Sequence, residues 1–150
     1  MPTVILLCGL PGAGKTTLAK ELESDLPSLR LTEDEWVTGL YPPENAHDDA
    51  KRDAIKNVQW EIAVRAYALG VDVVLDWGLW GRAERDDFRS RATALGIKTK
   101  LIYLAVPRDE LIRRLAARNA ALPPDTFRVE TADLDEWIAA FEPPTSDELS

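Results

Sequence analysis

The stretch Gly9-Leu-Pro-Gly-Ala-Gly14-Lys15-Thr16 constrains this 150-residue chain more than any other feature. An apolar run, Thr3-Val-Ile-Leu-Leu-Cys8, precedes it, and Leu18 and Leu22 follow it four residues apart. Such a run reads as a buried parallel strand, and leucines at that spacing read as one face of a helix from Lys15 to about Asp25. The turn between them satisfies G-x-x-x-x-G-K-[ST] at every specified position. Glycines let a backbone take φ values that other residues resist, so it can wrap an anion. Successive N–H groups and the positive end of the helix then point at that anion. This spacing serves phosphate binding, with Gly9, Pro11, Gly12, Ala13 and Gly14 as the cradle. Lys15 is expected to reach the outer phosphates of a nucleoside triphosphate, and the Thr16 hydroxyl to bind its Mg²⁺. Thr17 is placed to touch the α phosphate.

Downstream, strands alternate with helices. Leu29–Leu31, Val71–Asp76 and Thr99–Val106 read as strands two to four. Helices are expected from about Glu33, from Asp48 or Asp49 to Leu69, over 83–95, from Pro107 to about Asn119, and from Thr131 to Phe141. Thr32 and Glu35 have the spacing of a capping box. The long helix offers Ile55, Val58, Ile62, Ala66 and Leu69 as an apolar face. Gly70 and Gly96 end their helices, and proline pairs at 42–43, 123–124 and 143–144 mark loops. Alternation of this kind means βαβ units with right-handed crossovers. The expectation is one α/β domain over residues 1–150, with a short parallel sheet of four to five strands flanked by helices.

Cys8 and His47 are the single residues of their types, which excludes an internal disulfide framework, a multi-Cys zinc site and a His-pair metal motif. Cys8 reads as a buried small hydrophobe and His47 as a solvated loop residue. The longest apolar stretch, Val4 to Leu10, falls far short of the roughly 20 residues a membrane helix needs. No basic segment followed by a long apolar one opens the chain, so a cytoplasmic location is expected. The net charge of −8 disfavours binding nucleic acid by phosphate neutralisation. Charge is uneven, however: residues 82–118 hold ten bases and five acids, whereas 33–81 hold four bases and ten acids. The basic block is read either as a local anion site or as a solvated helix face.

Asp76 closes the third strand, at the edge where open α/β sheets bind ligands. It is read as a metal-side acid or as a helix cap. Arg82 and Arg85 sit just beyond it. Trp36, Trp77 and Trp80 follow strand ends on the same edge, where an indole can stack on a sugar, an aromatic ring or a cation. Core packing is the competing reading, and it is preferred for Trp60 and Trp137. Together with the acidic segment 33–53, the three edge tryptophans point to a polar hydroxyl compound, a cationic one included.

The whole chain resembles small P-loop kinases of the chloramphenicol phosphotransferase, zeta-toxin and polynucleotide kinase type, within the AAA-like P-loop group. The stations are the loop at residues 9–16, Asp34-Glu35 after the second strand, the strand ending at Asp76 with Arg82 and Arg85 beyond, and the helix carrying Arg114 and Arg118. The segment Phe141-Glu-Pro-Pro144 completes the set. The resemblance implies a three-layer P-loop NTP hydrolase fold with a short lid near 118–128. It implies ATP and Mg²⁺, the latter on Thr16 and Asp76. Asp34 takes the position of the carboxylate that accepts the proton of the substrate hydroxyl, with Glu33 and Glu35 as neighbouring alternatives. Arg114 and Arg118, four apart on one helix face, correspond to lid arginines beside the transferring group. A plain dipole role at that helix end is the alternative.

The implied activity is transfer of the γ-phosphoryl group of ATP to a hydroxyl of a small molecule, with Lys15, Asp34, Arg114 and Arg118 catalytic. Asp34, Trp36, Trp77, Trp80, Arg82 and Arg85 would bind the acceptor. Such families often carry an arginine three residues after the aspartate; here Val37 stands there, which argues against a phosphorylated or nucleotide acceptor. Two rivals stay open: an RNA- or DNA-end kinase, and a non-catalytic module that uses ATP to switch a partner. Monomer and homodimer are equally open.

Overall fold

The computed structural model describes residues 1–124 and 126–149; Asp125, inside the expected lid, and Ser150 lie outside them. Strand β1 (Val4–Cys8) is buried at all five residues. It joins β2 (Ser28–Thr32), β3 (Asp72–Gly78) and β4 (Thr99–Tyr103) in one parallel sheet of order β2-β3-β1-β4. Six helices flank the sheet: α1 (Lys15–Asp25), α2 (Glu33–Leu40), α3 (Asp49–Ala68), α4 (Arg82–Ala94), α5 (Arg108–Ala120) and α6 (Thr131–Ala140). Single 3-10 turns lie at Pro43–Asn45 and Ser146–Glu148. No helix among the described residues is long and apolar enough to cross a membrane.

The alternation of side chains along each strand sorts the three layers. Val4, Leu6 and Cys8 of β1 face the α3–α4 layer, where they meet Trp60, Ala63, Phe88 and Ala92. Ile5 and Leu7 face the other way and pack on Ala19 of α1. Burying a leucine of this kind stabilises by about 1.5–3 kcal/mol. A third cluster joins Ala13 of the glycine-rich turn to Leu111 and Leu115 of α5 and Leu134 of α6. That cluster seats the turn on a helix rather than leaving it a free loop.

Sheet register decides what reaches the functional edge. Leu7 pairs with Asp76 but Cys8 pairs with Gly78, so Trp77 is an inserted residue in β3. A bulge of this sort re-aims side chains at a strand end. Asp76 shares a face with Val74, toward α1, and stands opposite Thr32 of β2. Trp77 turns the opposite way into the α3–α4 core, where it packs on Phe88 with centroids 4.8 Å apart and donates to Gln59 Oε1 at 2.6 Å.

Several expectations are corrected here. The apolar face of α3 is rotated: Val58 and Leu69 are exposed, and Ile55, Gln59, Trp60 and Ala63 are buried. Trp60 and Gln59 set this, because Trp60 fills the space against Phe88 and Gln59 answers the Trp77 indole N–H. Thr32 does not cap α2; its hydroxyl is used by Asp76, and Glu35 pairs with Arg30 instead. Strand β3 runs on to Gly78 and β4 stops at Tyr103, before the expected Val106.

Past β3 the chain turns sharply. Leu79 has a φ of 51°, uncommon for a non-glycine residue. Its carbonyl is fixed by the fully buried Arg85, whose Nη1 donates at 2.8 Å. The Arg85 Nε also donates to Glu148 Oε1 at 2.8 Å, and the Glu148 side chain is itself 1% exposed. The ends of the guanidinium thus tie the β3–α4 turn to the C-terminal segment. Glu148→Ala leaves Arg85 buried without its carboxylate and is expected to cost about 3–5 kcal/mol. The half-exposed Arg82, paired with Asp86 and Asp147, is expected to cost under about 1 kcal/mol as Arg82→Ala. Urea unfolding of both variants checks the contrast.

Candidate active site

The glycine-rich turn has the backbone that a phosphate cradle needs. Gly12 and Gly14 take φ values of 87° and 96°. A Cβ on Gly12 would lie 3.1 Å from Leu115 Cγ, and one on Gly9 would lie 3.2 Å from the Leu104 carbonyl oxygen. The turn therefore needs glycine for conformation at positions 12 and 14 and for space at position 9. Helix α1 starts directly after it, so its free N–H groups face the cradle. Lys15 Nζ donates to the Leu10 carbonyl at 3.1 Å, across the mouth of the turn. Arg114 Nη1 donates to the Gly12 carbonyl at 3.2 Å, which draws α5 onto the same loop.

Asp76 is buried, 4% exposed, and its Oδ2 accepts from Thr16 Oγ1 at 2.7 Å and Thr32 Oγ1 at 3.1 Å. Burial pushes its carboxyl above the ordinary range, against the charge of Lys15 and the two hydroxyl bonds. The Thr16 hydroxyl and the Asp76 carboxylate form a hard-oxygen pair. Such a pair fits Mg²⁺, which takes one or two protein oxygens and completes its shell with phosphate and water. A bound cation would also favour the ionised carboxylate that burial disfavours.

Across a cavity of about 1240 Å³ stands Asp34, on the first turn of α2. Its Oδ1 accepts from Arg52 Nη1 at 2.9 Å, and the same nitrogen donates to Glu33 Oε1 at 2.8 Å. Arg52 Nε donates to the Ala46 carbonyl at 2.6 Å. Glu33 is 4% exposed and also faces Lys56, 3.8 Å away, while Lys56 pairs with Glu84 at 2.8 Å. Burial is outweighed for both Arg52 and Lys56 by these carboxylates, which hold their pKa values above the ordinary ones. Sequence reasoning missed this network. The signal was present, since Arg52 and Lys56 are four apart and share a helix face toward α2.

Arg118 lines the same cavity from the end of α5, and its Nη2 donates to the Phe127 carbonyl at 3.2 Å. Burial lowers its pKa, opposed by the charge of Asp34, and its Nε is buried without a partner among the described residues. Arg114 also lines the cavity. The expected set of Gly12, Gly14, Lys15, Thr16, Thr17, Asp34, Asp76, Arg114 and Arg118 therefore surrounds one space.

Other expected residues are placed elsewhere. Arg85 is locked to Glu148, Arg82 is occupied by Asp86, Asp147 and Thr145, and neither lines the cavity. Trp36 packs against the α3–α4 core; Trp77 does border the cavity, but it is 5% exposed and its N–H is used by Gln59. Trp80 does line the cavity and donates to the Gly9 carbonyl at 3.2 Å. Two residues assigned other roles join it: Trp137, expected in the core, and His47, expected in solvent.

An AAA-domain family model matches residues 4–144, nearly the entire chain. The chain belongs to that family. Among solved structures this AAA domain is similar to a gluconokinase from Sinorhizobium meliloti 1021, with a TM-score of 0.67 at 19% identity, over 97% of this chain and 78% of that one. It is also similar to a sugar kinase from Janibacter sp. HTCC2649, with a TM-score of 0.71 at 19% identity, over 99% and 82%. Chaetomium thermophilum Kti12, in complex with ADP-AlF3, gives a TM-score of 0.70 at 17% identity, over 95% and 81%. No curated protein matches the sequence significantly. The fold of this AAA domain is that of the P-loop kinases.

Glu33 yields a pH prediction. Burial raises its carboxyl from the ordinary 4.5 to about 7, against the charges of Lys56 and Arg52. The folded state binds more protons than the unfolded one in that window, so this group's contribution to stability falls as pH rises through it. Glu33→Gln is expected to flatten the fall between those pH values, as measured by urea unfolding across the range.

Proposed function

We propose that this AAA domain is an ATP-dependent phosphotransferase that moves the γ-phosphoryl group to a hydroxyl of a small molecule. One observation carries the reading: the glycine cradle with Lys15, and the Asp34 carboxylate, line the same cavity. Phosphoryl transfer asks a protein for positioning and charge neutralisation more than for covalent chemistry. The backbone N–H groups of residues 12–16 and the Lys15 ammonium hold the phosphates. Arg114 and Arg118 add positive charge beside the transferring group. Asp34 accepts the hydroxyl proton, and Arg52 fixes its orientation.

As the acceptor oxygen bonds to the γ phosphorus, the bond from phosphorus to the ADP oxygen breaks. The products are ADP and a phosphate ester, and the proton passes to Asp34. Thr16 and Asp76 would hold Mg²⁺, which supplies charge neutralisation on the phosphate oxygens when bound. The acidic surroundings of Asp34 and the net charge of −8 favour a small molecule over a nucleic-acid end.

The test is an ADP-release screen of purified protein against hydroxylated metabolites and antibiotics. Asp34→Asn is expected to leave binding of a non-hydrolysable ATP analogue within about twofold while transfer falls about 10²–10⁴-fold. Tight analogue binding with no acceptor-dependent turnover, and no effect of Asp34→Asn, would establish the switch-module reading instead.

A further inference from the structure

One half of the cavity is lined by a row of aromatic rings that phosphate binding leaves unused. Trp80, Trp137, His47 and Phe127 all face it. Successive ring centroids are 5.6 Å apart for Trp80–Trp137, 5.1 Å for Trp137–His47 and 5.1 Å for His47–Phe127. The four come from four separate segments: the β3–α4 turn, α6, the loop before α3, and the chain between α5 and α6. The interplanar angles along the row are 47°, 64° and 85°, so it presents faces as well as edges. His47 is exposed, and Trp80, Phe127 and Trp137 are half-buried, which leaves ring surface for a ligand.

The row has a definite direction. Its first member is anchored on the cradle, through the Trp80 N–H bond to Gly9. Its last member lies against Arg52, whose guanidinium carbon is 5.3 Å from the Phe127 ring centroid. Arg52 in turn holds Asp34. The row therefore flanks the path from the phosphate loop to the carboxylate, which is the path an acceptor hydroxyl takes.

We propose that Trp80, Trp137, His47 and Phe127 form the acceptor subsite, and that the acceptor is a cyclic polyol, a sugar or cyclitol ring, carrying no phosphate or carboxylate of its own. This rests on the phosphotransferase reading above. Such a ring has a face of C–H groups that packs on an aromatic π-face, and a rim of hydroxyls that can meet Asp34. An open-chain polyol has the hydroxyls but no rigid face. Charge narrows the class further. Arg52 and Lys56 are already neutralised by Glu33, Asp34 and Glu84; Lys15 and Lys20 on α1 and Arg118 on α5 line the cavity without a salt bridge among the described residues, whereas the α3 and α6 walls hold Asp49, Asp53 and Glu136 likewise without one, next to the aromatic row. The resulting field repels an anionic acceptor and accepts an amine on the ring.

The test uses the full chain with Mg²⁺, and reads calorimetric binding in the presence of a non-hydrolysable ATP analogue and, separately, ADP release with ATP, for myo-inositol, glucosamine, sorbitol, gluconate and a 5′-hydroxyl oligonucleotide. A ring compound is expected to bind at least about tenfold more tightly than the other three. Trp137→Leu and Phe127→Leu keep apolar volume but remove the ring. Each is expected to raise the acceptor KM about tenfold with kcat within about threefold, and Trp137→Phe to restore it. Trp36→Phe, outside the cavity, is expected to change nothing. Preference for gluconate, sorbitol or the oligonucleotide overturns the inference, as does analogue binding with no ring compound bound. So does a loss confined to analogue affinity in the leucine variants, which would assign the row to the nucleoside base. Failure of the wild-type chain to bind the analogue removes the phosphotransferase reading, and the subsite with it.

Discussion

A single buried carboxylate oxygen organises the functional edge. Asp76 Oδ2 accepts hydroxyl protons from the first turn of α1 and the last residue of β2, at 2.7 and 3.1 Å. Left unbonded, an ionised group in such surroundings would cost several kcal/mol. The two hydroxyl bonds offset that cost and, in doing so, lock three elements in register. The phosphate loop, the strand carrying Asp76 and the strand leading into α2 cannot shift separately. Asp34 lies two residues beyond Thr32, so its distance from the cradle is set by the same bonds. The β3 bulge completes the arrangement, because it sends Asp76 toward α1 and Trp77 toward the core.

On the far side of the cavity the charges are arranged for orientation rather than for strength. Arg52 is shared between a buried glutamate and a half-exposed aspartate, and it also grips the carbonyl of Ala46. A side chain bound at three points has little rotamer freedom left, and neither does the carboxylate it holds. Preorganisation of this kind is what phosphoryl transfer uses, since the catalytic work is done by groups already in place. The three bonds also bind α2 to the loop before α3, which carries His47. Asp34 and part of the aromatic row thus move as one unit.

Much of this was legible in the sequence. The loop at residues 9–16 announced the β1–α1 unit and the glycine turn between strand and helix, because its residue types have a mechanism attached to each position. Asp76 stood out at its strand end, and the resemblance to small P-loop kinases pointed to Asp34, Arg114 and Arg118; all four line the cavity. The failures came where residue type allowed two uses and only packing chose between them. Arg85 had the position of a substrate arginine, but Glu148, 63 residues away, claims it. Trp77 stood one residue from Asp76, yet alternation along the strand turns its indole toward the α3–α4 core while the carboxylate faces α1. Conversely, Trp137 and His47 looked ordinary because their partners, Trp80 and Phe127, are remote in the chain.

The pairing of Arg85 with Glu148 also carries a consequence for biosynthesis. The ribosome makes Arg85 well before the carboxylate that completes it, and domains fold as their segments emerge. During that interval a guanidinium destined for the interior must stay hydrated. The turn it braces, at Leu79 and Trp80, stays unsealed with it. A nascent chain can therefore shape the loop at residues 9–16 early, while the turn that carries Trp80 waits for Glu148 to emerge before Arg85 can brace it.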